Sequence, residues 1–148
     1  MRSSWQKMTQ ELNLEKKVKF TGTVPWEEIP QYIGGFDVGY CGSILPSWGK
    51  MYHSPLKLYE YMAMAKPVIA SGFDQAKKIV SENVTGFLYQ IGDQQDLKQV
   101  LLKAYQSQHL LPGMGQKARD EMTMNHDWTV RVKFLMEELD RRLEKNYP

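Results

Sequence analysis

The sequence predicts a doubly wound α/β domain: a parallel sheet with helices on both faces. Three observations carry this expectation. Short apolar runs, "VKFTG", "FDVGYC", "PVIAS" and "TGFLY", alternate with longer amphipathic runs. The intervals between them are helix-length, well beyond the roughly two to five residues of a hairpin loop, so each return is a crossover and the strands are parallel. No Gly/Ser linker, internal repeat or low-complexity block divides the chain, which makes it one unit.

The elements follow in order. Trp5, Met8 and Leu12 recur at helical spacing with Ser3 or Ser4 available as N-cap, predicting a helix over residues 4–13. "VKFTG" reads as a strand closed by Gly22. Pro25 suits a first helical position opening "WEEIPQYI", a short helix that Pro30 weakens or bends. "FDVGYC" is the second strand, and the connection from Gly42 to His53 is longer than the usual roughly four to six residues. Ser54 and Pro55 have the form of an N-cap and first-turn proline, starting a helix through Met64. "PVIAS", a helix over "QAKKIVSE" and the strand "TGFLY" come next. Asp93 and Asp96 suit the first turn of a helix reaching Ser107. The chain closes with helices spanning 113–146. The last is capped by Asp127, carries Trp128, Val132, Leu135, Leu139 and Leu143 on one stripe, and pairs Glu137 with Arg141 and Glu138 with Arg142.

Composition narrows the function. A hydrophobic share of 42% against 24% charged residues in 148 predicts one globular domain with a sizeable core. The excess of 19 basic over 17 acidic residues is small and interspersed, so no polyanion-binding face is implied and nucleic acid is not an expected partner. Cys41 alone excludes an intramolecular disulfide and gives no metal-ligand spacing. It reads as a small core residue in a reducing compartment. No run approaches the roughly 18 apolar residues of a membrane span, and "MRSSWQKMTQELNL" lacks a signal peptide's apolar centre. The expected location is the cytoplasm.

The stretch "SPLKLYEYMAMAKPVIAS" carries the candidate site. A helix beginning at Ser54 offers the unpaired amides of Leu56, Lys57 and Leu58, and with its dipole it attracts phosphate or carboxylate. Lys57 adds charge, or lays its stem on the surface with the ammonium in water. Glu60 is placed to accept two hydroxyl hydrogen bonds from a ribose or sugar diol. The plainer alternative stays open: Ser-Pro often starts helices, and a glutamate near an N-terminus complements the dipole.

"VKFTGTV", "IPQYIGGFDVGYCGS", "SPLKLYEYMAMAKPVIAS", "VTGFLYQIGDQQDL" and "HDWTVRVKFLMEEL" together resemble, in order and spacing from Val18 to Leu139, the C-terminal, donor-binding part of glycosyltransferase family 4, the retaining GT-B enzymes. The resemblance implies a Rossmann-like domain and a nucleoside-diphosphate sugar as donor substrate, with no cofactor and no metal. It assigns Glu60 to the ribose hydroxyls and the amides of Leu56, Lys57 and Leu58 to the diphosphate, with Ser54 and Pro55 also among the donor-binding positions. Gly22, Thr23 and Val24 fall near the base through main-chain groups. Tyr52 stands where the family's E-x7-E signature has its first glutamate, so Tyr52 and Lys57 are the candidate catalytic positions. A subset with an aromatic residue there is closer to this chain. Ala65 replaces the glycine usual before "KPV" and is expected to resist a left-handed helix end. Asp74 and Lys78 stand where glycine and glutamate are common.

The same resemblance implies that the N-terminal acceptor domain is absent, as are the opening strand, helix and strand of the donor domain. The sheet is then truncated at its N-terminus, and the two missing strands belong between "VKFTG" and "FDVGYC". The implied activity is transfer of a sugar, hexosyltransferase type, to a glycan or lipid-linked acceptor in glycan biosynthesis at the cytoplasmic membrane surface, the isolated chain being inactive. The alternatives are a non-catalytic nucleotide-sugar-binding module and a generic doubly wound domain. Against the latter, no acidic cluster ends the first strand and no Gly-rich phosphate loop follows one. Asp93 and Asp96 read as helix-capping residues rather than a metal clamp. His53 and Trp48 lie in the connection before the site, Trp128 reads as a packing residue, and His109 and His126 have no partner nameable from sequence.

Overall fold

The computed structural model describes residues 2–43 and 55–146, with side chains through residue 143. Three strands, β1 (Gly39–Cys41), β2 (Val68–Ser71) and β3 (Gly86–Tyr89), form a parallel sheet in the order β1-β2-β3. The helices are α1 (Arg2–Glu11), α2 (Ile29–Gly34), α3 (Leu56–Ala63), α4 (Asp74–Ile79), α5 (Gln94–Gln106), α6 (Leu111–Glu121) and α7 (Trp128–Asn146). Side chains alternate across each strand. Cys41, Val68 and Ala70 therefore meet Leu58 and Met62 of α3 and Ala76 and Ile79 of α4 on one face. Ile69, Phe87 and Tyr89 meet Val100 and Ala104 of α5 on the other. Helix α6 closes one end of the sheet, giving Leu111 and Met114 to the second cluster and Ala118 and Met122 beyond it to the first. Helices on both faces explain why β2 and β3 read as continuous apolar runs: every residue of β2 is buried.

The strand expected at Val18–Gly22 does not form. Those residues have no ladder partner among the described residues, and a strand needs a neighbour more than it needs propensity. Pro30 starts α2 rather than bending a longer helix, because "WEE" is a separate 3-10 turn and the proline occupies the first turn of α2 itself. The helix in "QAKKIVSE" stops at Ile79, where Val80 turns extended. The closing helices begin at Leu111 rather than residue 113, and a five-residue π-helical turn, Met122–His126, separates them. Asp93 caps α5, its carboxylate accepting from the amides of Gln95 and Asp96 at 2.9 Å each, and Asp96 accepts from Gln90 at 2.6 Å. Asp127 accepts from Thr129 at 2.8 Å at the start of α7.

Two helix ends share one device. At α1, Asn13 (φ 54) donates to Gln10 at 3.0 Å and Leu14 to Thr9 at 2.9 Å. At α3, Ala65 (φ 55) donates to Met62 at 3.0 Å and Lys66 to Tyr61 at 2.9 Å. Both are Schellman closures. Alanine was expected to resist this conformation, yet Ala65 adopts it, and its left-handed backbone costs roughly 1 kcal/mol relative to glycine. Two hydrogen bonds and the close packing of Gly115 against its carbonyl hold it there.

Helix α7 departs most from expectation. Its stripe of Trp128, Val132, Leu135, Leu139 and Leu143 is exposed, so Trp128 is not a packing residue within this chain. Glu137 faces Lys133 rather than Arg141, and Glu138 takes both Arg141 and Arg142.

Candidate functional site

Crossover connections put the start of each helix at the carboxyl ends of the strands, where ligands of doubly wound sheets lie. Helix α3 follows β1 and begins there. Leu58 and Met62, one turn apart, are fully buried and anchor the helix on Val68 and Ala70. Leu56, Lys57 and Glu60 therefore point outward. Pro55, in extended conformation (φ −73, ψ 109), precedes the first turn, and its carbonyl accepts from the Leu58 amide at 3.0 Å. That bond takes Leu58 out of the expected trio. The amides of Leu56 and Lys57 have no partner among the described residues.

The Glu60 carboxylate is exposed and forms no hydrogen bond or ion pair with the described residues. It is available to a ligand on the same side of the helix as the open amides. Lys57 contributes in a second way. Burial pushes the Cys41 thiol above its ordinary value, and the Lys57 ammonium opposes that rise. Tyr61 is also pushed up, first by burial and then by Cys41 and Glu60. Helix dipole, two open amides and one cation together attract an anion.

Gly22, Thr23 and Val24 lie in the connection between α1 and the 3-10 turn, with Gly22 at φ 75 beside the Arg2 guanidinium. No hydrogen bond joins them to α3 among the described residues. Tyr52 and Ser54, like Trp48 and His53, fall outside the described residues. Asp74 opens α4, and Lys78 is exposed in its last turn. His109 lines an open groove of about 970 Å³ along β1, α5 and the turn into α6, together with Tyr40, Lys66 and Leu101.

A network that sequence reasoning missed lies on the other side of α3. Tyr59 accepts from Gln75 at 3.0 Å and from Arg131 at 3.3 Å. Arg131 donates to Nδ1 of His126 at 2.9 Å, and the other ring nitrogen meets Glu121 at 3.1 Å. The network ties α3 to α4 and to the start of α7. Its members come from three separated segments, Tyr59, Gln75 and residues 121–131, so no local pattern announces it. Among the described residues no group of three His, Cys, Asp or Glu side chains is placed to hold a metal ion, and no helix is long and apolar enough to cross a membrane.

Residues 1–121 match the family of glycosyl transferases group 1. A relative, the amylovoran biosynthesis glycosyltransferase AmsK of Erwinia amylovora, is 30% identical over 129 residues, covering 87% of this chain and 32% of its own length. Among solved structures the fold matches a glycosyltransferase from Rickettsia africae, with a TM-score of 0.78 at 20% identity over 96% of this chain and 36% of that one. It also matches Anabaena HepE, solved in complex with UDP and glucose, with a TM-score of 0.76 at 23% identity over 94% of this chain and 36% of that one. The chain thus spans about a third of the length of these proteins. With a family match over 121 of its 148 residues and a parallel sheet faced by helices on both sides, the chain belongs to the glycosyl transferases group 1 family.

Proposed function

We propose that this chain supplies the donor-binding part of a retaining GT-B glycosyltransferase, which moves a hexose from a nucleoside-diphosphate sugar to a glycan or lipid-linked acceptor. The observation that carries the reading is the exposed end of α3, where the Leu56 and Lys57 amides and the Glu60 carboxylate lie without partners among the described residues. The amides receive the diphosphate, Lys57 adds charge, and Glu60 holds the ribose hydroxyls. Catalysis rests on the departing diphosphate, whose charge grows as the glycosidic bond loosens; preorganised amides and a cation stabilise it without reorganisation. HepE, solved with UDP-glucose, supports this donor class.

The acceptor and the other half of the cleft belong to a separate N-terminal domain of the same enzyme, and the isolated chain is inactive. Among the described residues β1 has a strand neighbour on one side only, which supports further strands in the donor part itself. Gly39 donates to Pro67 at 2.9 Å, so Gly39 and Cys41 face β2 and Tyr40 turns its backbone groups outward beside the apolar groove. Such an edge in a sheet buried on both faces is completed by another strand. The enzyme works in the cytoplasm at the membrane surface. A second reading, a binding module without transfer activity, is favoured by Tyr52 in place of the signature glutamate.

Titration calorimetry with UDP, GDP and ADP tests the donor reading. One of them binds with saturable one-to-one stoichiometry; heat changes at dilution level for all of them overturn the reading. Transfer activity after joining an N-terminal half separates enzyme from binding module.

A further inference from the structure

The hydrogen-bonded network beside α3 includes a histidine whose proton the geometry places. A guanidinium has only donors to offer, so Nδ1 of His126, 2.9 Å from Arg131, accepts. The imidazole proton is then on Nε2, which donates to the Glu121 carboxylate at 3.1 Å. The same Arg131 nitrogen donates to the Tyr59 hydroxyl at 3.3 Å, and the guanidinium lies 5.6 Å from the centre of the Tyr59 ring. That ring also meets the imidazole edge to face at 5.7 Å. His126 is therefore faced by Glu121 from α6, Arg131 from α7 and Tyr59 from α3. A protonated imidazole carries N–H on both ring nitrogens. Its Nε2–H keeps Glu121, now as an ion pair, whereas its Nδ1–H points at the Arg131 guanidinium. A donor then meets a donor and a cation meets a cation.

Helix α7 has little apolar burial to fix its direction. Every α7 side chain from Trp128 to Leu143 except Glu138 is exposed. The helix follows the π-helical turn Met122–His126, and Asp127 between the two is extended (φ −60, ψ 148), so α6 and α7 do not run on as one rod. Arg131, in the first turn of α7, is the residue whose hydrogen bond reaches across to α3. We propose that His126 is a pH-sensitive latch: neutral, it holds Arg131 against Tyr59 and keeps α7 docked beside α3; protonated, it expels Arg131 and frees α7 to pivot at Asp127. Histidine ordinarily changes charge between about pH 5 and 8, which sets the range in which such a latch works. The latch needs no ligand, so it stands or falls independently of the donor-binding reading of α3.

Residual dipolar couplings of the isotopically labelled full chain report the direction of α7 against β2 and β3. In the parent protein the α7 couplings fall about twofold between about pH 8 and about pH 5.5, while those of β2 and β3 hold. His126→Gln, whose amide accepts from Arg131 and donates to Glu121 at either pH, keeps the full α7 couplings throughout. Arg131→Met has no donor for the latch to hold, so its α7 couplings are reduced already at the higher pH and change no further. Melting curves verify that each variant is folded; should His126→Gln not fold, Arg131→Met carries the comparison. Parent couplings that do not change with pH overturn the latch. The same fall in His126→Gln overturns it too, as do full α7 couplings in Arg131→Met at the higher pH.

Discussion

Replacing Glu60 with alanine weakens binding of the favoured nucleoside diphosphate by about 2 to 3 kcal/mol, roughly 30- to 150-fold. A carboxylate accepting from two ribose hydroxyls makes charge-assisted bonds worth about 1.5–3 kcal/mol each, partly offset by its own desolvation. Nothing else in the fold depends on it: the side chain is exposed and has no partner among the described residues. Stability of Glu60→Ala therefore stays within about 0.5 kcal/mol of the parent, as is usual for surface substitutions. Calorimetry and a thermal melt on the same sample separate the two quantities. Lys57→Ala has the smaller effect, because that residue contributes chiefly through its main-chain amide. Equal affinity in Glu60→Ala removes the ribose role.

Gly115→Ala lowers stability by about 3 kcal/mol, at the upper end of overpacking costs. A Cβ at this position would overlap the Ala65 carbonyl oxygen, approach its carbonyl carbon to 2.8 Å and meet Pro67 at 3.2 Å. The obstacle is backbone, and it cannot move aside, because Ala65 and Lys66 are held by the two bonds that close α3. For a domain of this size the melting temperature falls by roughly 6–12 °C. Two companions sharpen the measurement. Gly113→Ala, in the same helix with open space around it, gains about 0.5–1 kcal/mol. Ala65→Gly relieves the left-handed strain and gains about as much. A Gly115→Ala protein that melts with the parent contradicts the packing of α6 on the end of α3.

The sheet was legible where burial is complete. β2 and β3 lie under helices on both faces, so "PVIAS" and "TGFLY" show their apolar character undiluted, and acidic caps such as Asp93 mark their helix start through local chemistry. "VKFTG" has the composition of a strand, but composition does not supply a neighbour, and it stays unpaired among the described residues. The stripe on α7 was also correct as a pattern. Periodicity reports that a face is apolar and is silent on what covers it; here Trp128 and Leu135 remain exposed.

The outward direction of Glu60 and Lys57 was readable because helix position alone sets it once Leu58 and Met62 are buried. The Leu58 amide was misjudged, since its use depends on the backbone angle of Pro55 rather than on residue type. Ala65 shows the same limit: intrinsic preference argued against its conformation, and tertiary packing from α6 outweighed it. Clusters joining distant segments, such as Tyr59 with His126 and Arg131 or Tyr40 with Tyr89, leave no local trace. Cys41 followed expectation and is buried against Leu58 and Val68.

Whether the start of α3 receives the diphosphate is decided by titrating isotopically labelled chain with UDP and recording amide NMR spectra. The largest shifts are expected on the Leu56 and Lys57 amides, with Glu60 close behind. Shifts confined to the groove between β1 and α5, with Leu56 and Lys57 unchanged at saturation, would place the nucleotide elsewhere and remove the diphosphate role from α3.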